Sequence, residues 1–247
     1  MMNQPAVKHA FKRTFKYACK HTFCTALFVT TIGATFNAHA QFSHLSIAQD
    51  IPACKAAGAA LGECIDAIEK KALQQSAGKV VRKEGQLQLN FGPGPQTLKN
   101  IDTDDKTYIN YTYLGYEAKL QQHMMYVGFQ QGDQYWAYHV KGGVPSKMAG
   151  YPLLAPDNLH FATMSVDMIA GFNPNLVEIW RVDGGNLNKV ASFKGDKWGP
   201  DGLEWQDAAT LVVKKVCNNP DPEHQEIILK CGTVKVNNGK AGWVLLP

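Results

Sequence analysis

Met125-Tyr126-Val127-Gly128-Phe129, the turn Gly132-Asp133, and Tyr135-Trp136-Ala137-Tyr138 decide the fold class. Two runs rich in aromatic and β-branched residues, separated by glycine and aspartate, read as an antiparallel hairpin. The same grammar recurs in Glu178-Ile179-Trp180-Arg181-Val182, where Asp183-Gly184-Gly185-Asn186 leads into the next run. It recurs at Asn238-Gly239, where a tight primed turn is the natural geometry between the last two runs. Working outward, strands are expected near 79–83, 86–91, 107–117, 123–130 and 133–141. Others follow near 159–166, 175–182, 187–193, 209–217, 225–231, 233–237 and 241–246. Residues 79–247 therefore read as one all-β domain of short hairpins. Tyr108, Tyr111, Tyr113 and Tyr116 fit strand packing and cross-strand pairing.

The chain upstream is different. From Glu63 to about Ala77, Ile65, Ile68, Ala72 and Leu73 recur at helical spacing, with Glu69, Lys70, Lys71, Gln74 and Gln75 on the other face. Gly78 is a stop signal for this single amphipathic helix. Residues 41–78 form a lead-in that carries it. Residues 1–40 read as a secretory leader. Lys8, Lys12, Arg13, Lys16 and Lys20 make a basic head, Phe23–Phe36 a short apolar core, and Ala38-His39-Ala40 a small-residue cleavage site. The core is too short for a bilayer-spanning helix. The expectation is a periplasmic or secreted protein with no membrane insertion after cleavage.

The formal charge of +4 belongs to that leader. Without its five basic residues, 20 Lys and Arg face 21 Asp and Glu. With no cluster of cations to neutralise phosphates, no nucleic-acid partner is expected. Cys54, Cys64, Cys217 and Cys231 follow the leader, an even set that suits disulfides in an oxidising compartment. Local pairing, Cys54–Cys64 and Cys217–Cys231, is expected. The second pair flanks the turn-rich Asn218-Asn219-Pro220-Asp221-Pro222. A Cys-x2-Cys zinc spacing is absent, and neither a metal nor another cofactor is expected.

A weak repeat runs through the β region. Leu154-Ala155-Pro156-Asp157-Asn158-Leu159-His160-Phe161-Ala162 is a strand end, an aspartate turn and a new strand. About 51 residues later comes Trp205-Gln206-Asp207-Ala208-Ala209-Thr210-Leu211-Val212-Val213, and about 52 earlier Ile101-Asp102-Thr103-Asp104-Asp105-Lys106-Thr107-Tyr108-Ile109. Ala155-Pro156-Asp157-Asn158, with Glu178–Gly185, resembles the Ser-Pro-Asp-Gly turn and closing hairpin of TolB-type and Trp-Asp-repeat propeller blades, over roughly 150–215. The resemblance implies architecture and no particular activity. The fold class expected is mainly β: antiparallel blade-like sheets, a partial propeller or a sandwich, preceded by one helix.

Signatures of catalysis are missing: no Gly-x-Ser-x-Gly elbow, no His-Glu-x-x-His, no phosphate loop. His44, His123, His139, His160 and His224 show no metal-ligand spacing. Asp102, Asp104 and Asp105 lack the glycine and closing glutamate of a calcium loop. Two polar-aromatic segments stand out as candidate binding loops, 167–175 and 195–202. Their candidate residues are Asp167, Phe172, Asn173, Asn175, Trp198 and Asp201. The expectation is a non-enzymatic binding protein, inhibitor, immunity-type protein or accessory subunit, whose partner is another envelope or extracellular protein. The alternatives are a carbohydrate- or wall-directed hydrolase using carboxylates among Glu117, Asp133, Asp167, Glu178 and Glu204, and a lectin-like module using the same loops.

Overall fold

The computed structural model describes residues 61–224 and 227–247. Helix α1 (Leu61–Gln75) precedes four antiparallel sheets, each assembled from strands in chain order. The first holds β1 (Val80–Lys83), β2 (Gln86–Leu89) and β3 (Gln96–Lys99). The second holds β4 (Ile109–Glu117), β5 (Gln122–Phe129), β6 (Asp133–His139) and β7 (Ser146–Met148). The third holds β8 (Leu153–Leu154), β9 (His160–Ser165), β10 (Leu176–Asp183) and β11 (Asn186–Lys194). The fourth holds β12 (Gly199–Trp205), β13 (Thr210–Asn218), β14 (Ile228–Gly239) and β15 (Gly242–Leu246). The fold is mainly β, with no closed barrel among the described residues.

Turn chemistry fixes the registers. Gly184 and Gly185 sit at φ 56° and 87° between the paired Asp183 and Asn186, the geometry of a primed two-residue turn. Glu84 and Gly85, at 50° and 73°, do the same between Lys83 and Gln86. The last hairpin turns at Lys240-Ala241, two residues beyond the expected Asn238-Gly239. Asn238 is held in the strand, paired with Trp243, and its amide donates to the Ala209 carbonyl at 2.8 Å. Gly242, at φ 91°, takes the left-handed position instead.

Strand periodicity sets the layering. In β5, Met124 and Tyr126 face the third sheet, whereas Met125 and Val127 face the first sheet and α1. In β10, Trp180 faces the second sheet and Ile179 the fourth. The two middle sheets are thus apolar on both sides, which is why their strands read as near-continuous hydrophobic runs. Three cores result, each shared by sheets consecutive in the chain. Tyr113, Leu87 and Leu89 anchor the first, Phe161 and Met148 the second, and Leu211, Val213 and Val236 the third. Helix α1 is fixed polar-side as well. Buried Glu69 pairs with Arg82 Nε at 2.6 Å and Nη2 at 2.7 Å, and accepts from the Tyr113 amide at 2.7 Å.

Several elements depart from expectation. β3, β7 and β8 are short, and none carries an apolar run long enough to stand out. The segment 195–202, expected to be a loop, becomes strand at Gly199. Pro200 is tolerated because β12 is an edge strand, where no outward amide is needed. Residues 228–239 form one strand rather than two. Among the disulfides, Cys217–Cys231 is present with its Cα atoms 5.9 Å apart; the Cys54–Cys64 pairing and the leader lie outside the described residues. The repeat has a structural counterpart. Asp105, Asp157 and Asp207 each accept a bond from the amide two residues on, at Thr107, Leu159 and Ala209. Each turn follows a residue paired back across it: Ile101 with Ile109, Leu154 with Phe161, Trp205 with Leu211. Asn158 adopts φ 55°, the left-handed role expected of it in its turn.

Candidate functional site

The loop joining β9 to β10 is built around one carboxylate. Asp167 Oδ1 accepts from the Ala170 amide at 2.9 Å, and Oδ2 from the amides of Phe172 at 2.7 Å and Asn173 at 3.1 Å. Burial pulls this carboxyl upward, but the amides of Asn173, Gly171, Phe172 and Ala170 outweigh it and hold it below the usual carboxylate range. Its acceptor capacity is therefore spent on its own loop. Asn175 closes the base. Its Oδ1 accepts from the Asp167 amide at 2.7 Å, and its carbonyl from the Gly195 amide at 2.9 Å.

Asn173 ties the loop to the second sheet. Its Oδ1 accepts from the Asp133 amide at 3.0 Å, and its Nδ2 donates to Asp133 Oδ1 at 3.2 Å. Asp133 Oδ2 accepts from the Tyr126 hydroxyl at 2.9 Å. Burial, then the Asp133 charge, pushes the Tyr126 phenol upward, so it stays a donor. Gly132 makes the approach possible: a Cβ there would lie 2.3 Å from Asn173 Oδ1. With these polar groups engaged, the loop leaves its apolar residues outside. Ile169 is 70% and Phe172 54% exposed.

Beneath Phe172 lies a cleft of about 380 Å³ between the second and third sheets. Phe129, Met148 and Leu176 form apolar wall; Asp133, Lys147 and Lys189 bring charge. Its floor includes Glu178, 5% exposed. Glu178 Oε2 accepts from the Ala149 amide, the Thr163 hydroxyl and Trp180 Nε1 at 3.0, 3.0 and 3.1 Å, and Oε1 from Lys189 Nζ at 2.8 Å. Three of these partners lie on β9, β10 and β11 of the third sheet, and the fourth, Ala149, directly follows β7 of the second.

The sequence candidates thus divide. Asp167, Asn173 and Asn175 build the loop, and Phe172 is presented by it. The second candidate segment does meet the first: a Cβ on Gly199 would strike Val166, Asn175 and Met168. Trp198, however, packs half-buried against the core between the third and fourth sheets, with Lys215 Nζ 6.0 Å from its ring. Asp201 is the unpaired, exposed residue of a bulge in β12. Of the carboxylates weighed for hydrolysis, Asp133 and Glu178 share the cleft. Glu204 sits on β12 against Lys214 at 3.6 Å, and Glu117 ends β4. Lys147, Lys189 and Gln134 were not singled out from sequence, since ordinary polar residues on short strands carry no local signal. No group of three or more His, Cys, Asp or Glu able to hold a metal occurs among the described residues.

Comparison with known proteins adds no relative: no family model, no curated protein and no solved structure matches this chain.

Proposed function

We propose that this chain is an exported, non-enzymatic interaction protein that binds another envelope or extracellular protein through the 166–175 loop and the cleft beneath it. The observation that carries the reading is Asp167. Three amide bonds to one carboxylate preorganise a loop whose most exposed large apolar side chains are Ile169 and Phe172. An apolar finger already fixed in shape loses little entropy on docking. Such a pair of anchors suits an apolar pocket on a partner, as an inhibitor or accessory subunit uses. The Cys217–Cys231 bridge fits an oxidising compartment. No helix among the described residues is long and apolar enough to cross a membrane. The blade-like architecture remains part of this proposal: meandering sheets stacked in series suit a rigid platform for loops.

A photo-crosslinking side chain at Phe172, in cells expressing the full chain, tests it. One discrete protein adduct is expected, lost when Asp167→Ala frees the loop, with no adduct from the control position Val190 on β11. Equal labelling at both positions, or none at Phe172, refutes it. The hydrolase reading draws on a specific observation, the shared cleft of Asp133 and Glu178. It requires turnover on wall carbohydrate that falls by about 10² or more in Asp133→Asn or Glu178→Gln. Retention of glycan alone, without turnover, would instead mark a lectin-like module.

A further inference from the structure

The four open sheets of the described residues have eight edges, and seven are managed against unwanted pairing. β1 carries Arg82 and Lys83, and β3 carries Lys99. β4 spends its edge amides inside the molecule, Tyr111 on Asn100 Oδ1 and Tyr113 on Glu69. β7 has three residues and β8 two. β11 carries Lys189 and Lys194 and bulges against β10. β12 has Pro200, a bulge at Asp201, and Glu204. Charges, short length, bulges and prolines are how soluble sheets blunt their edges.

β15 has none of these devices. Gly242-Trp243-Val244-Leu245-Leu246 is uncharged, pairs without a bulge, and exposes Val244, Leu245 and Leu246 by 38, 36 and 43%. Its groups alternate in direction. The Asn238 amide points to β13, so Asn237 and Lys235 face β15 and bond Val244 and Leu246. The N–H and C=O of Trp243 and Leu245 therefore point outward, where they meet no partner among the described residues.

We propose that β15 is a self-association edge, pairing antiparallel with β15 of a second copy about a two-fold axis at Val244. The register is self-complementary. Trp243 and Leu245 of one copy exchange backbone bonds with Leu245 and Trp243 of the other, satisfying all four outward groups on each strand. On the outer face, Val244 meets Val244 of the second copy, and Leu246 lies over Gly242, where there is no side chain to obstruct it. Neither strand carries a charge to repel the other. Pro247, lacking an N–H, ends the ladder. Two five-residue strands bury less than the roughly 1,600 Å² of a standard interface, so the dimer is weak and concentration-dependent.

Sedimentation equilibrium of the purified full chain, from about 10 µM to about 1 mM, covers that weak range. The wild type is expected to shift from monomer to dimer. Val244→Lys and Val244→Glu, which place like charges opposite one another, should each weaken dimerisation about fivefold or more, and their equimolar mixture should recover it. Leu245→Pro deletes an outward N–H without touching the β14 ladder and should also yield monomer. Thermal midpoints of both Val244 variants near wild type would show that the fold is kept. A wild type that stays monomeric throughout, as expected if a foreign strand occupies this edge, overturns the proposal. So does a dimer indifferent to the charge swap.

Discussion

Replacing Glu178 separates a carboxylate that holds the fold from one that does chemistry. Glu178→Ala leaves the Ala149 amide, the Thr163 hydroxyl and Trp180 Nε1 without their acceptor. A buried unpaired donor costs about 1–3 kcal/mol. The low end applies here, because Lys189, whose side chain is 45% exposed, can rehydrate and water can follow it into the cleft. The loss should be about 3 kcal/mol, at the lower end of the range for breaking a buried pair from one side. For a chain of this size that lowers the melting midpoint by about 6–12 °C. Glu178→Gln keeps the shape but turns an amide toward Lys189, and should cost about half as much. Equilibrium urea unfolding followed by tryptophan fluorescence measures both. Thr163→Val should cost about 1 kcal/mol alone but recover a similar amount in the Glu178→Ala background, where it removes a buried hydroxyl already left without its acceptor. A Glu178→Ala variant within about 1 kcal/mol of wild type refutes the claim that this carboxylate couples the sheets. A stability gain would mark a strained functional group instead.

Other consequences are checkable with the same protein. Burial, with the nearby Lys79 charge adding to it, pulls the His123 imidazole from 6.5 down to about 4. The unfolded chain takes up that proton first, so the contribution is complete above about pH 6.5 and is lost as pH falls toward 4. His123→Phe, which preserves stacking on Phe91, should flatten the stability profile in that window; an unchanged slope sinks the assignment. Cys217→Ser with Cys231→Ser should cost about 3 kcal/mol by chain entropy, read as the difference in urea midpoint from the oxidised wild type. Gly132→Ala, at φ 85° and against Asn173, should cost about 1–3 kcal/mol and speed amide exchange in residues 168–173; protection equal to wild type would show that this glycine does not dock the loop.

What could be read from the chain followed local physics. The hairpin at Gly184-Gly185, the end of α1 before Gly78 and the Cys217–Cys231 bridge each depend on residues close in sequence. β12 was hidden because Gly199-Pro200-Asp201-Gly202 has turn composition, while its pairing with β13 is set by packing of Leu203 and Trp205. The cleft was hidden for a related reason. Asp133 and Asn173 are joined 40 residues apart, through a glycine whose need for closeness shows only in three dimensions. The loop residues were found, but their division of labour was not. Asp167 and Asn175 turn inward to the backbone, and a polar residue that staples a loop looks the same in sequence as one that greets a ligand.

Because every buried core joins neighbours along the chain, the molecule is a row of couplings rather than one indivisible block. Unravelling should begin at whichever end is weakest tied and advance sheet by sheet. The fourth sheet, which shares only one of the three cores, gains a covalent cross-link between β13 and β14. That staple sits where a linear array would otherwise fray.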